Sequence, residues 1–454
     1  MSPDEQRPPS PDESNQSTLS RRQLLGLLGG GGVLAGIGWF APEWLPDPVT
    51  DTVTTMYPDP SSNYVWRPPV SDERADEAVQ RLEETVERAT ELRSQVDLDS
   101  VDEHMRFHLR GSPAGGHLES AKDERNARDR LQHATTGLQY AGETVGYATV
   151  ALGEDDPEFL VERGRELNQR IEAVLSSIAE YRVSDPGRDL AFLYSIERQL
   201  SSARISTSWG DSDNNNGPED GYSSRNFASE WGSQLQAEQR IQTAQYHRDQ
   251  YRETLGDDAT SYREVLTGAI DQFRTQIEQY PTRDEMRTKF EDELELDQQT
   301  PYGAARWELY ILCFDNDFRF VDSPLLRGLP VKQFVVTGHA LLARQAHEFV
   351  LDELDVDPGD TDYDSGRSFR AKRQAMREYR ATRNEYDSNF AGVVASEAAS
   401  RIRGGDVGLS GRFDNDLPAW RERVEASVYY LLGAGMMRNL GTVLDSQLKV
   451  VTGG

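Results

Sequence analysis

Apolar and small residues recur in steps of three and four along most of this chain, and the elements they predict are helices. Ala75, Val79, Leu82, Val86, Ala89 and Val96 step by 4, 3, 4, 3 and 7, with Arg93 at the skipped place. Leu131, Ala134, Leu138, Ala141, Val145, Ala148 and Leu152 repeat the steps without a gap, and Leu160, Leu167, Ile171, Val174, Ile178 and Tyr181 continue them. A mean step near 3.5 rather than 3.6 predicts nearly antiparallel packing of long amphipathic helices, as in an up-down bundle. Pro157 and Pro186 fall where helices should start, since a proline at the first helical position removes a donor that has no partner anyway.

Residues 209–224, with Asp211, Asn214, Asn215, Asn216, Gly217 and Pro218, offer no apolar side chain to bury and read as a linker. Helical patterns resume over 227–255, 262–280 and 301–314, over the strongly apolar 331–354, over about 369–402 and over about 417–451. No strand alternation of any length is seen. The pattern predicts an all-α fold of two helical subdomains, residues 71–208 and 225–454. The stretch 426–444 carries one charge, Arg438, so it is either a second membrane span or a helix enclosed by others; being apolar nearly all round favours the enclosed helix.

Charge changes the picture of the surroundings. There are 78 acidic against 49 basic residues, a formal charge of −29, and only Lys122, Lys289, Lys332, Lys372 and Lys449 among the bases are lysines. So acidic a surface stays compact where salt screens it, with a Debye length of about 3 Å at 1 M. Acidity without lysine looks haloarchaeal. Non-specific nucleic-acid binding is disfavoured, because a polyanion loses the counterion-release term. Cys313 has no partner in the chain, which excludes a disulfide scaffold.

The amino terminus carries the most specific motif. Ser20, Arg21, Arg22, Gln23, Leu24, Leu25 and Gly26 open an uncharged run from Leu24 to Phe40 that holds seven glycines. Residues 1–46 thereby resemble a twin-arginine (Tat) export signal, read through Arg21 and Arg22. The resemblance implies recognition by the Tat machinery and export of an already folded body. No Ala-x-Ala cleavage pattern follows, and Trp39 and Trp44 stand where an interfacial belt would, so retention of residues 24–40 as a membrane anchor is favoured over release. Six prolines around residues 47–70 read as an extended extracytoplasmic spacer. As a whole the chain resembles uncharacterised haloarchaeal proteins that combine such a leader with a helical body; that resemblance supplies no activity.

Catalytic templates are absent: there is no Gly-x-Ser-x-Gly elbow, no phosphate loop, no His-Glu-x-x-His and no Glu-x-x-His pair. His104 and His108 share a helical face beside Asp102 and Glu103, and His117 follows nine residues later, so these three are the candidate ligands for a divalent metal. The bland reading of the same residues is a solvated or packed histidine pair. One segment runs against the acidic background: Arg367, Arg370, Lys372, Arg373, Arg377, Arg380 and Arg383 place seven cations in 17 residues. They form either a docking face for an acidic partner or anionic lipid, or an internal counterweight to the chain's own carboxylates. The expectation is an exported, membrane-tethered, non-enzymatic interaction or scaffold protein of a halophile cell surface with no cofactor and an unidentified protein partner. The alternative is a metal- or ligand-binding extracytoplasmic protein.

Overall fold

A computed structural model describes residues 45–60, 66–207, 223–293, 297–315, 323, 326–410 and 417–451. The leader with Arg21 and Arg22, the run 24–40 and nearly all of the linker 209–224 lie outside the described residues. The fold is all-α. Its helices are α1 (Asp47–Met56), α2 (Asp72–Gln95), α3 (Glu103–Arg110), α4 (His117–Asp123), α5 (Ala127–Leu152), α6 (Pro157–Ser177), α7 (Pro186–Ile205), α8 (Ser224–Thr254), α9 (Arg263–Ile277), α10 (Arg283–Thr288), α11 (Pro301–Tyr310), α12 (Pro330–Glu353), α13 (Ser365–Glu385), α14 (Asn389–Val394), α15 (Ser396–Leu409), α16 (Ala419–Arg438) and α17 (Leu440–Val451). Two-residue strands, Arg182–Val183 and Thr260–Ser261, pair antiparallel.

The 3-4 stripes become the core. Ala75, Leu82 and Ala89 of α2 and Leu131, Ala134, Leu138, Ala141, Val145 and Ala148 of α5 are buried, as are Leu160, Leu167, Ile171 and Val174 of α6. Local chemistry sets the ends. Asp156 and Asp185 cap α6 and α7 through the amides of Phe159 and Arg188, with Pro157 and Pro186 just inside. Gly153 closes α5 at φ 71°, a left-handed conformation that suits glycine.

The longest helix, α8, follows the 209–224 linker and is grouped by the sequence pattern with the second bundle. It packs instead along α5, α6 and α7 of the first. The cause is a stripe of small residues at spacing four. A Cβ added to Gly142 would lie 2.7 Å from Gly232 Cα, and one on Gly146 would lie 2.6 Å from Ala228 Cα, so α5 and α8 touch backbone to backbone. In the second bundle α16 is the central helix, enclosed by α11, α12, α13 and α15, and nearly all of Val424–Met437 is buried. Residues 426–437 are therefore core. Among the described residues no helix is long and apolar enough to cross a membrane.

Two expectations need correction. The helix over 369–402 is three helices, because Tyr386 ends α13 and Ser388 starts α14 by accepting from the Ala391 amide. Residues 47–70 are not a free extended spacer: 47–56 form α1, with Pro48 harmless in its first turn and Thr50, Val53 and Thr54 buried against α13 and α15. Prolines deny the backbone donors but do not stop it docking.

A cleft of arginines without carboxylates

The sequence-derived metal candidates do not converge. His104 and His108 do share a face of α3, with ring centroids 4.7 Å apart, but they are spent on Tyr147: His104 Nε2 lies 3.0 Å from its hydroxyl and His108 stacks on its ring. His117 sits elsewhere, stacked on Tyr140 and 3.5 Å from His133 between Nδ1 atoms. Burial and the neighbouring imidazole push His108 and His117 below the usual histidine range. Among the described residues no group of three or more His, Cys, Asp or Glu could hold a metal ion.

The basic segment on α13 divides in two. Lys372 is wholly buried and donates to Thr54 O (2.8 Å) and Asp406 Oδ1 (2.6 Å). Arg367 lies against Asp355, Asp360 and Asp364, Arg370 pairs with Asp355 at 3.1 Å, and Arg383 donates to the Tyr386 carbonyl. Lys372, Arg367 and Arg370 are thus paired with the chain's own carboxylates, as the counterweight reading expects, and Arg383 is tied to the backbone. Arg373, Arg377 and Arg380 stay exposed on one face, without an ion pair among the described residues.

The site that sequence patterning missed lies in the first bundle. Arg67, Arg128 of α5, Arg198 of α7 and Arg240 of α8 line one open cleft of about 370 Å3, and no Asp or Glu lines it. The stretch 67–71 beside it is held in place by side-chain-to-backbone bonds. Arg128 Nη2 donates to the carbonyls of Arg67 (3.0 Å) and Pro68 (3.2 Å), Gln250 Nε2 donates to Pro69 O (3.1 Å), and the Ser71 amide donates to the Tyr246 hydroxyl (3.0 Å). Trp66 sets its edge on Phe192 at 5.0 Å. The Pro-rich stretch 66–70 is thus the wall of a site.

The arginines lower one another's charge stability. Burial and Arg198 push Arg67 down; burial and Arg67 do the same to Arg128, and burial and Arg198 to Arg240. A guanidinium stays protonated regardless, so the cleft holds concentrated positive charge. Asp129 attracts Arg67 and Arg128 through space but forms no ion pair with either. Arg240 has only long bonds of 3.4 Å to the amides of Gln199 and Gln236, and the buried Nε atoms of Arg67, Arg128 and Arg240 have no protein partner. The contrast is with Glu238 nearby on α8, which takes Arg81, Arg163 and Arg170 together. Where this protein wants arginines neutralised it supplies a carboxylate.

Helix α7 is anchored from its other side. Glu197, beside Arg198, is fully buried and accepts from the Val331 and Lys332 amides at the start of α12 (3.4 and 2.5 Å). Burial pushes its carboxyl up to about 7 against the pull of those donors.

Residues 73–258 match the family model of a domain of unknown function (DUF8262) and residues 252–447 that of another domain of unknown function (DUF8264). The two matches meet at the end of α8, so α8 goes with the helices it packs on. No curated protein and no solved structure matches the chain. The helical walls of the cleft lie within the first match and Arg67 just ahead of it.

Proposed function

We propose that this chain is an exported, membrane-tethered binding protein of a halophile cell surface, and that its working site is the arginine cleft, which takes an anionic ligand. One observation carries the binding half: four guanidiniums meet without a carboxylate in a chain whose formal charge is −29. Unpaired buried donors cost stability unless a ligand satisfies them, and guanidinium pairs with oxyanions are the strong, bidentate kind. Such contacts in a recessed site are screened by molar salt far less than surface pairs are.

The binding test is thermal unfolding of the full-length chain in molar sodium chloride with phosphate, sulfate or citrate. A ligand at a hundred times its Kd adds about 2.7 kcal/mol of stability, so at least one of the three should raise the Tm by several degrees. Arg198→Glu with Arg240→Glu should abolish the rise. Indifference of the parent protein to all three anions would show that the cleft is not an anion site.

The export half rests on Arg21, Arg22 and the run 24–40. Because the pathway reads the arginine pair itself, Arg21→Lys with Arg22→Lys should strand the protein in the cytoplasm. Unchanged export of that variant, followed by cell fractionation, would remove this half and leave the cleft untouched.

A further inference from the structure

We propose that the ligand is an anionic sugar, a hydroxylated body bearing a phosphate or sulfate group, and that His247 reads one of its hydroxyls. This rests on the anion reading of the same cleft and goes beyond it.

The argument begins with hydrogen-bond direction. Pro69 offers only a carbonyl, so the Gln250 nitrogen must face it, at 3.1 Å, which turns Gln250 Oε1 toward His247 Nδ1 at 3.2 Å. The oxygen can only accept, so His247 carries its proton on Nδ1. Burial and the charges of Arg198, Arg128 and Arg74 hold the imidazole neutral, pushing it down to about 4. Its Nε2 is then a bare acceptor among the residues that line a cleft of cations. A sulfate or a phosphate-monoester dianion has no proton to give it, and an ammonium would be repelled by four guanidiniums. A hydroxyl fits.

The rest of the lining agrees. The hydroxyls of Thr136, Ser195 and Ser202 and the amide nitrogen of Gln199 have no protein partner among the described residues. They suit a ligand with many hydroxyl groups, each able both to donate and to accept. No Phe, Tyr or Trp lines the cleft, so it lacks the large aromatic platforms on which nucleobases stack best. A volume of about 370 Å3 falls within the range of small-molecule sites, about 300–1,000 Å3, and leaves most of the cleft empty around a single bare oxyanion.

The test is calorimetric titration of the full-length chain in molar salt with glucose 6-phosphate, glucose 6-sulfate, inorganic phosphate and AMP. At least one sugar ester should bind about tenfold or more tighter than phosphate, the worth of one or two well-made hydrogen bonds, and AMP should bind no tighter than the sugar esters. The phosphate and sulfate esters separate the two sources of the charge. His247→Phe, which keeps a ring but removes the acceptor, should erase most of the sugar advantage. If that variant fails to fold, Ser202→Ala carries the same comparison. Equal affinity for phosphate and both sugar esters, tighter binding of AMP than of the sugar esters, or a sugar preference that survives the variant would overturn this inference and leave the anion reading standing. No heat from any of the four would overturn both.

Discussion

Replacing Lys372 with Met is expected to cost about 3–5 kcal/mol of unfolding free energy, the range for breaking a buried ion pair from one side. Lys372 is 0% exposed, and Asp406, which accepts from Lys372 Nζ at 2.6 Å and from the Tyr430 hydroxyl at 2.7 Å, would be left buried with half its partners. Burial already pushes the Lys372 ammonium down and the Asp406 carboxyl up, so each group needs the other to stay ionised. Lys372→Met together with Asp406→Leu should therefore recover most of the loss, because no charge is then stranded. Urea unfolding of the four proteins measures this as a double-mutant cycle. A single-variant loss under about 1 kcal/mol, the range of surface pairs, would show that the buried pair holds the fold no more than a surface one.

Arg423→Ala should detach α1. Arg423 is 7% exposed and holds Asp51 through Nε (3.1 Å) and Nη2 (2.9 Å) and Asp47 through Nη1 (2.8 Å). Asp51 is the vulnerable partner, since burial raises its carboxyl and Arg423 is the one group that pulls it back. The loss should be about 3 kcal/mol, at the low end for buried pairs because Asp47 is 40% exposed. Hydrogen exchange locates it: amides of 47–57 should lose protection while those of α5 and α8 keep theirs. Retained protection across 47–57 would show that Val53 and the buried threonines hold α1 without the ion pairs.

How much was legible differs by element. The stripes of α2, α5 and α6 are periodic in sequence and buried in the fold, because an amphipathic helix writes its inner face locally, every three or four residues. His104 and His108 were legible as a pair for the same reason. That His117 would turn to Tyr140 and His133 was not, since α4 begins at His117 after a turn through Gly115 and Gly116 at φ 56° and 83°. The seven cations of 367–383 were visible, but only α13's neighbours show Lys372 to be internal and Arg373, Arg377 and Arg380 to face outward.

By itself the sequence determined the helical class, the inner faces of the long helices, the helix starts at Pro157 and Pro186, and a strongly acidic, lysine-poor chain. Only the tertiary structure decided that α8 lies on α5, that 47–56 docks as a helix, and that Arg67, Arg128, Arg198 and Arg240 meet. Those four stand at least 42 positions apart, each on a different element, and each reads in sequence as one more solvated arginine. What marks them is that no carboxylate pairs with them or lines their cleft, and in a chain with 78 acidic residues that absence exists only in space.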